Sequence, residues 1–306
     1  MLAASLLALA QAPVAPTAPA PYEPAIAPAS DEALSVLPRL QVPAGFQVSL
    51  WAAEPLLANP VAIAPEPGGG VFVCETFRHS KGVTDIRDHR DWLDEDLASR
   101  TVEDRVAMFR RHAGERFHAE FETERERIRL VRDADGDGLA DGATVFADDF
   151  GTAATGLGAS VLPWKGELFY TCIPDLWSLR DRDGDGRADE RLVLSTGYGL
   201  HVALIGHDLH GLRIGPDGKL YFSCGDRALA VQTERGLVDN SRCGAVLRCD
   251  LDGRNLEVFA TGLRNPQDLV FDAYGNLFTG DNNSDGGDSA RWVHVVEGGD
   301  SGWRYS

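Results

Sequence analysis

The sequence GLRIGPDGKLYFSC, residues 211–224, places a tight Gly-Pro-Asp-Gly turn between an apolar lead-in and a β-rich run. Similar phrases occur at residues 61–74, 160–172 and 268–280. Each copy is typical of a β-hairpin, because alternating apolar residues flank a turn whose glycine can take a positive φ. The glycines of the last three turns lie 52 and 57 residues apart, near the period of a propeller blade. The sequence therefore predicts an all-β chain folded as a β-propeller.

The number of copies predicts about four blades, over residues 38–306. Such toroids close with about four to eight blades, and no returning strand follows the fourth copy, so we expect a truncated propeller that belongs to a longer protein. A first strand is expected over residues 42–51, which alternate in polarity. A helical insertion is expected at about residues 85–125, where charged residues surround an apolar stripe that includes Trp92 and Val106.

The composition favours one large domain. The chain has 306 residues, of which 43% are hydrophobic, and this is enough for one extended core. Its 47 acidic and 29 basic residues give a net charge of -18, which excludes a basic nucleic-acid surface and makes calcium the better charged partner.

The first 37 residues have the composition of an export segment and a linker. Residues 1–20 begin with a short apolar, alanine-rich run that resembles a signal peptide, and residues 21–37 form an Ala/Pro-rich linker. We therefore expect a periplasmic or membrane-associated location. A misassigned start or an uncleaved anchor are the alternatives, because the run lacks a basic residue.

The five cysteines do not predict a disulfide framework. Cys74, Cys172 and Cys224 occupy similar places at the ends of repeated strands, as small core residues do. Cys243 and Cys249 can pair across a local hairpin, although their spacing alone does not fix the geometry. The chain has no Cys-x-x-Cys-His segment for covalent haem attachment.

Two nearly identical acidic loops, at residues 132–141 and 180–189, predict structural calcium. Each places aspartates at positions 1, 3, 5 and 9 of an EF-hand-type loop, with the turn glycine at position 6. Thr144 and Leu192 stand where the bidentate glutamate belongs, so the loops are not true EF-hands, and a plain Asp/Gly turn is the alternative. The predicted ligands are Asp133, Asp135, Asp137, Asp141, Asp181, Asp183, Asp185 and Asp189.

Polar clusters precede the third and fourth hairpins. His201, His207 and His210 lie within ten residues, and such histidines can act as a general base, bind a metal or only satisfy backbone groups. Arg264 supplies a planar cation suited to a carboxylate or quinone oxygen, and Asn265 adds an amide.

A third polar cluster follows the fourth hairpin. Residues 279–288 are rich in carboxylates and glycines, and they suit either a calcium site beside a cofactor or a polar loop. We expect Gly280, Asp281 and Asp285 to contribute to that calcium site.

These clusters resemble the six-bladed soluble quinoprotein glucose and sorbosone dehydrogenases. His207 stands eight residues before Gly-Pro-Asp, as that family's base does, and residues 262–267 resemble its segment that contacts pyrroloquinoline quinone. The resemblance implies His207 and Arg264 as catalytic residues, with Arg264, Asn265 and His210 beside the cofactor. It also implies that residues 280–288 supply the calcium that accompanies the quinone.

Residues 38–306 are also similar to the exported planctomycete-type membrane-bound dehydrogenases, which are haem-binding proteins. The likeness includes residues 88–93, 281–288 and 297–303 and the paired acidic loops. It implies oxidation of a sugar or alcohol, with electrons passing to a c-type haem domain absent from this chain. The alternatives are a non-catalytic propeller that binds glycans or proteins, and a calcium-dependent lactonase-like hydrolase.

Overall fold

The computed structural model describes residues 22–305, so the predicted export segment at residues 1–20 lies outside the described residues. The predicted linker contains one short helix, α1 (Glu32–Val36), followed by a 3-10 turn. Residues 42–51 do not form the expected strand. Their apolar side chains include Phe46, which is 70% exposed. Alternating polarity alone does not make a strand, because a strand needs a neighbouring strand that forms hydrogen bonds with it.

Seventeen strands follow in the described part of the chain, fifteen of them in four main sheets and two in a separate hairpin. The first sheet has the order β1 (Pro60–Pro65), β2 (Val71–Glu75), β3 (Glu126–Arg132), β4 (Gly142–Phe150). The second has the order β5 (Gly158–Trp164), β6 (Glu167–Cys172), β7 (Asp175–Arg180), β8 (Glu190–Thr196).

The third sheet contains β9 (Leu209–Ile214), β10 (Leu220–Cys224), β13 (Gly244–Cys249) and β14 (Glu257–Leu263). A separate hairpin, β11 (Leu229–Thr233) and β12 (Gly236–Asn240), lies between β10 and β13 in sequence. The fourth sheet contains β15 (Leu269–Phe271), β16 (Leu277–Asp281) and β17 (Arg291–Val295).

The four sheets are arranged as four blades of a β-propeller, which confirms the predicted fold. All neighbouring strands within a blade are antiparallel, and the first strands of successive blades (β1, β5, β9 and β15) contact one another in that order. The four predicted hairpins correspond to the first two strands of each blade. Fully buried side chains such as Phe169, Tyr198 and Phe222 form the hydrophobic core between blades 2 and 3.

The strand directions divide the molecule into two faces. We call the end where the first strand of each blade begins the top face, and the end with the hairpin turns the bottom face. Because consecutive strands alternate in direction, the connections before each blade and those between its second and third strands lie on the top face. The two acidic loops join third to fourth strands and therefore lie on the bottom face.

The predicted helical insertion is confirmed and lies on the top face between β2 and β3. It contains α2 (Leu93–Ala98), α3 (Val102–Ala113) and α4 (Phe117–Phe121). A capping box starts α3, because the side chains of Thr101 and Asp104 each accept a hydrogen bond from the other's backbone N–H. Phe109 and its buried apolar neighbours pack against Val202, in the connection between blades 2 and 3.

The cysteines behave as core residues. Cys74, Cys172 and Cys224 are fully buried at strand ends, as predicted. The local bond between Cys243 and Cys249 is not formed, and both thiols are free. Strand β13 itself separates the two residues, and six extended residues span roughly 20 Å, far more than a disulfide can bridge.

Candidate active site

His207 and Asp226 form a buried pair on the top face. His207 precedes β9 and Asp226 follows β10, so the antiparallel pairing of these strands brings the two residues together. Nδ1 of His207 lies 2.7 Å from Oδ1 of Asp226, and the residues are 4% and 1% exposed. Because an ionised carboxylate can only accept, Nδ1 carries the hydrogen of this bond, and in the neutral imidazole Nε2 is the nitrogen with the lone pair.

Gly225 allows the close approach of these two chain segments. A Cβ atom at Gly225 would lie 2.7 Å from the backbone oxygen of His207, which is too short for a non-bonded contact. The backbone N–H of Gly225 donates to the carbonyl of Asp208 at 3.0 Å. The pair therefore depends on a residue without a side chain next to Asp226.

Asp226 was not predicted as a site residue from the sequence, although its position relative to the third hairpin could have indicated its closeness to His207. It follows the third hairpin directly, and a residue just after a hairpin's second strand returns to the level of the residue just before its first strand. The backbone N–H of Asp226 donates to the carbonyl of Arg264 at 2.8 Å, and its Oδ2 accepts from the indole N–H of Trp303 at 3.0 Å. Asp226 thus joins blade 3 to the start of blade 4.

Arg264 and Asn265 also lie on the top face, directly before the first strand of blade 4, and we call this edge between blades 3 and 4 the rim. Each of the two residues is 4% exposed. Their backbone N–H groups donate to Oδ1 of Asp281 at 3.0 and 2.9 Å. The Asn265 amide donates to the carbonyl of Gly206, beside His207, at 3.3 Å. Nε of Arg264 and Oδ1 of Asn265 are buried without a protein partner. The structure therefore brings predicted site residues of blades 3 and 4 together and leaves two polar atoms for another group.

The residues of the predicted cofactor calcium site are close in sequence but occupied by other partners. Besides the two backbone donors, Asp281 accepts from the guanidinium of Arg291 at 2.9 Å. Asp285 pairs with Arg264 at 2.9 Å, and Gly280 lies within β16. In this structure Asp281 anchors the backbone of the Arg264 turn, and a calcium ion here stays a prediction.

A cleft of about 400 Å³ opens next to Asn265. Gly280, Asp281 and Trp292 contribute to its walls. Trp292 is 82% exposed, so its indole ring offers a flat apolar surface beside the polar groups. The cleft gives a planar polar molecule access to the Asn265 end of the site.

The other two histidines of the cluster have backbone partners. Nε2 of His210 lies 3.0 Å from the carbonyl of Gly206, and burial lowers the pKa of His210. The His210 ring therefore supports the loop before β9, and its expected place beside a cofactor stays a prediction. Nδ1 of His201 lies 2.8 Å from the carbonyl of Asp96, in the insertion, and its ring stacks on Tyr305.

The helical insertion holds the connection that carries His207. The carboxylate of Asp85 accepts from the backbone N–H of Ile205 at 3.1 Å, and that of Asp96 accepts from Val202 at 2.7 Å. Asp96 is fully buried, and burial raises its pKa. The insertion was predicted from the sequence but this function was not, because the donors lie about a hundred residues away in sequence.

A buried ion pair lies beneath the loop. Arg227 donates to Asp208 at 2.7 Å, and both residues are about 1% exposed or less. Asp208 also accepts from the backbone of Leu157, which precedes blade 2, and Nε of Arg227 donates to the carbonyl of His201. These contacts fix the connections of blades 2 and 3 to each other under His207.

The acidic loops lie on the opposite face. Carboxylate oxygens of Asp133, Asp135 and Asp141 lie within 4.8 Å of one another, as do those of Asp181, Asp183 and Asp185. Asp137 and Asp189 lie outside these two groups, and the aspartates inside and outside them accept backbone N–H groups of their own loops. The structure thus brings together three of the four predicted ligands in each loop.

The sequence profile of a family described as a domain of unknown function, DUF7133, matches residues 32–297, and the chain belongs to this family. No curated protein sequence matches the chain significantly. Within residues 22–305, no helix is long and apolar enough to cross a bilayer.

Solved structures share the fold at low identity. A PQQ-bound aldose sugar dehydrogenase from Streptomyces coelicolor is 17% identical, with a TM-score of 0.50 over 81% of this chain and 63% of that chain. A glucose dehydrogenase is 16% identical, with the same TM-score and coverages. An oxidoreductase described as a glucose dehydrogenase, from Thermus thermophilus, is 21% identical, with a TM-score of 0.47 over 81% of this chain and 64% of that chain.

The chain spans just under two thirds of the length of these three proteins. At such identities the likeness shows the fold alone. The chain therefore shares its propeller fold with the aldose sugar dehydrogenase from Streptomyces coelicolor and with the glucose dehydrogenase of the same TM-score, and a shared fold does not define an activity.

Proposed function

We propose that this chain is the propeller part of an exported, quinone-dependent dehydrogenase that oxidises a sugar or another alcohol. The observation that carries the proposal is the buried His207–Asp226 pair, held at the same rim as Arg264 and Asn265. Oxidation of an alcohol needs a general base, for which the His207 imidazole is suited. It also needs a positive charge near the electron acceptor, which the Arg264 guanidinium supplies.

The residues at this rim fit pyrroloquinoline quinone in part. Nε of Arg264 and Oδ1 of Asn265 are buried polar atoms without protein partners, and the cleft beside Asn265 admits a flat molecule. Arg264 and Asn265 would hold the quinone through its oxygen and nitrogen atoms. When bound, this cofactor would supply the acceptor for the hydride that leaves the alcohol carbon, which is the C–H hydrogen with its two electrons.

His207 carries the protein's part of the chemistry. Nε2 accepts the proton of the substrate hydroxyl, and Asp226 stabilises the imidazolium that results. A positioned base of this kind contributes about 10²–10⁴-fold to the rate. The positive charge of Arg264 would stabilise the negative charge that the bound electron acceptor gains.

The proposal also includes a calcium ion near Gly280, Asp281 and Asp285, and transfer of electrons to a c-type haem domain of a longer protein. It rests for these parts on the motifs of the sequence. Binding of calcium requires that Asp285 leave its pair with Arg264, since a hard cation needs free carboxylate oxygens.

The test is reconstitution of the full-length protein with calcium and pyrroloquinoline quinone, followed by dye reduction with aldoses and simple alcohols. We expect turnover that His207→Gln lowers at least 10²-fold. His294→Gln is the matched control, because His294 is exposed and its ring stacks on Phe278 in blade 4.

Three results would contradict the proposal. Failure of the protein to bind the quinone would favour a binding propeller. Hydrolysis of lactones with calcium alone would favour a lactonase-like enzyme. Full activity of the His207 variant would remove the proposed base.

A further inference from the structure

The segment after β17 returns to blade 3 and reaches the active site. It runs beside the end of β14, where the backbone N–H of Ser301 donates to the carbonyl of Thr261 at 3.0 Å, and that of Trp303 donates to Gly262 at 2.9 Å. Gly262 has a φ of +77°, and a Cβ atom there would lie 2.1 Å from a carboxylate oxygen of Asp300. The segment therefore lies directly on the strand and is guided to the top face.

The side chain of Trp303 contacts both charged parts of the site. Its indole N–H donates to Oδ2 of Asp226 at 3.0 Å, while Oδ1 of the same carboxylate faces His207. Its ring lies 5.5 Å from Cζ of Arg264, within the range of a cation–π contact. One half-buried aromatic side chain thus joins the candidate base to the candidate cofactor-binding cation.

We infer that Trp303 is a positioning residue that sets the orientation and the charge of Asp226 toward His207. The inference deepens the proposed function, because it concerns the same base. A carboxylate that accepts from two donors on different oxygens has its rotation fixed. The indole N–H also draws negative charge away from the oxygen that faces the imidazole.

Several other charged or titratable groups surround this pair, and all of them are retained when Trp303 alone is changed. They come from blade 3, from blade 4, from the insertion and from the segment itself: His210, Asp208, Arg227, Cys224, Cys243, Asp268, Arg264, Asp85, Asp96 and Tyr305. A change that removes only the neutral indole N–H therefore isolates the effect of Trp303 on the titration of His207.

Trp303→Phe keeps an aromatic ring over Arg264 and removes the indole N–H. The carboxylate of Asp226 then presents more negative charge to His207, which favours the imidazolium. We expect the titration midpoint of His207 to rise by about half a pH unit to one unit. In an active enzyme the acid limb of the rate profile would move to higher pH by the same amount, because the base must be neutral to act.

The measurement uses the cofactor-free protein, so it does not depend on turnover. The Cε1 proton of His207 is followed by NMR from pH 5 to pH 9 and assigned by its loss in His207→Gln. Trp177→Phe is the control, since Trp177 packs on Phe150 between blades 1 and 2, away from Asp226. An unchanged or lower midpoint in Trp303→Phe, or an equal rise in Trp177→Phe, would overturn the inference.

A second measurement needs no change in the site. In the wild-type protein the indole N–H signal of Trp303 should shift with the same midpoint as His207, because both donors share one carboxylate. An indole signal that does not follow His207 would contradict the inference even if Trp303→Phe does not fold. Loss of turnover in the dehydrogenase assay would leave both titrations interpretable, so the two proposals can fail separately.

Discussion

The two oxygens of Asp226 face different donors, and the geometry of the site depends on this division. His207 reaches one oxygen from the connection before β9, and Trp303 reaches the other from the segment that follows β17 and lies beside β14. Gly225 keeps the two strands close enough for the first contact. At the scale of residues, the site is a set of buried hydrogen bonds with little room for rearrangement.

Gly225→Ala should lower kcat/KM by a larger free-energy equivalent than it lowers the free energy of unfolding. The added methyl group would meet the His207 backbone at 2.7 Å, and displacement of a base by about 1 Å can cost about 10²-fold in rate. The measurement is kcat/KM of the reconstituted protein together with its free energy of unfolding. Gly142→Ala is the control, because a methyl group at that position would have no atom within 4 Å. Equal activity of the two variants would contradict the expected displacement.

Glu126 should make stability depend on pH. Its carboxylate accepts from the backbone of Arg78 and of Gly158 at the junction of blades 1 and 2, and burial raises its pKa to about 7. The folded protein then holds a proton that the unfolded chain releases above about pH 4.5. The free energy of unfolding should therefore fall by about 3 kcal/mol as the pH rises from about 4.5 to 7, and stay level above pH 7.

Urea unfolding at intervals of half a pH unit measures this dependence. Glu126→Gln cannot titrate, so the difference in unfolding free energy between the wild type and this variant isolates the carboxyl group. A difference that is constant across the window would show that Glu126 is ionised throughout.

At the scale of elements, the helical insertion is a support for the active-site loop. Its Asp85 and Asp96 accept backbone hydrogen bonds from the connection that leads to His207. The buried Arg105 of α3 adds a hydrogen bond to the carbonyl of Ala154, before blade 2, and burial lowers its pKa. The insertion is therefore bonded to both connections that flank blade 2.

Thr101→Ala should weaken this support. It removes the acceptor for the backbone N–H of Asp104 at the start of α3, and loss of such a cap costs about 1 kcal/mol. Denaturant unfolding measures the loss, and Thr101→Ser is the control because serine keeps the oxygen. Equal destabilisation by both changes would point to the methyl group and against the cap.

At the scale of the whole molecule, the candidate active site and the two acidic loops lie on opposite faces. The loop at residues 181–189 contacts blade 1, because the backbone N–H of Ala188 donates to the carbonyl of Phe146 at 2.8 Å. The loop at residues 133–141 contacts the N-terminal segment through a bond from Ala140 to the carbonyl of Trp51. A cation in either loop would thus stabilise contacts between parts of the chain without touching the active site.

Calcium should therefore raise thermal stability through these loops. At a free concentration 100 times the Kd, one such site adds about 2.7 kcal/mol. Asp181→Asn should remove much of the calcium-dependent rise in Tm and leave the pH titration of His207 unchanged. Asp239→Asn, at an exposed position in β12, is the control. A calcium response that survives both Asp181→Asn and Asp133→Asn would place the ion elsewhere.

Local patterns predicted a large part of this protein. The four hairpins, the insertion and the acidic loops are encoded in short runs, because turn glycines, strand alternation and helical periodicity act over a few residues. His207, Arg264 and Asn265 were predicted from the sequence as candidate site residues, since each stands shortly before a recognisable hairpin. The prediction of a strand at residues 42–51 was wrong, because a strand needs a neighbouring strand to pair with and alternating polarity does not supply one.

The contacts that complete the site were decided by the tertiary structure. Asp226, Trp303 and Asp96 come from a second strand, a returning segment and a helix, and no short pattern relates them to His207. Their approach depends on how the blades pack and where the insertion rests on them. The sequence by itself thus determined the blades and the residues at their rim, while packing between distant segments determined which of those residues meet.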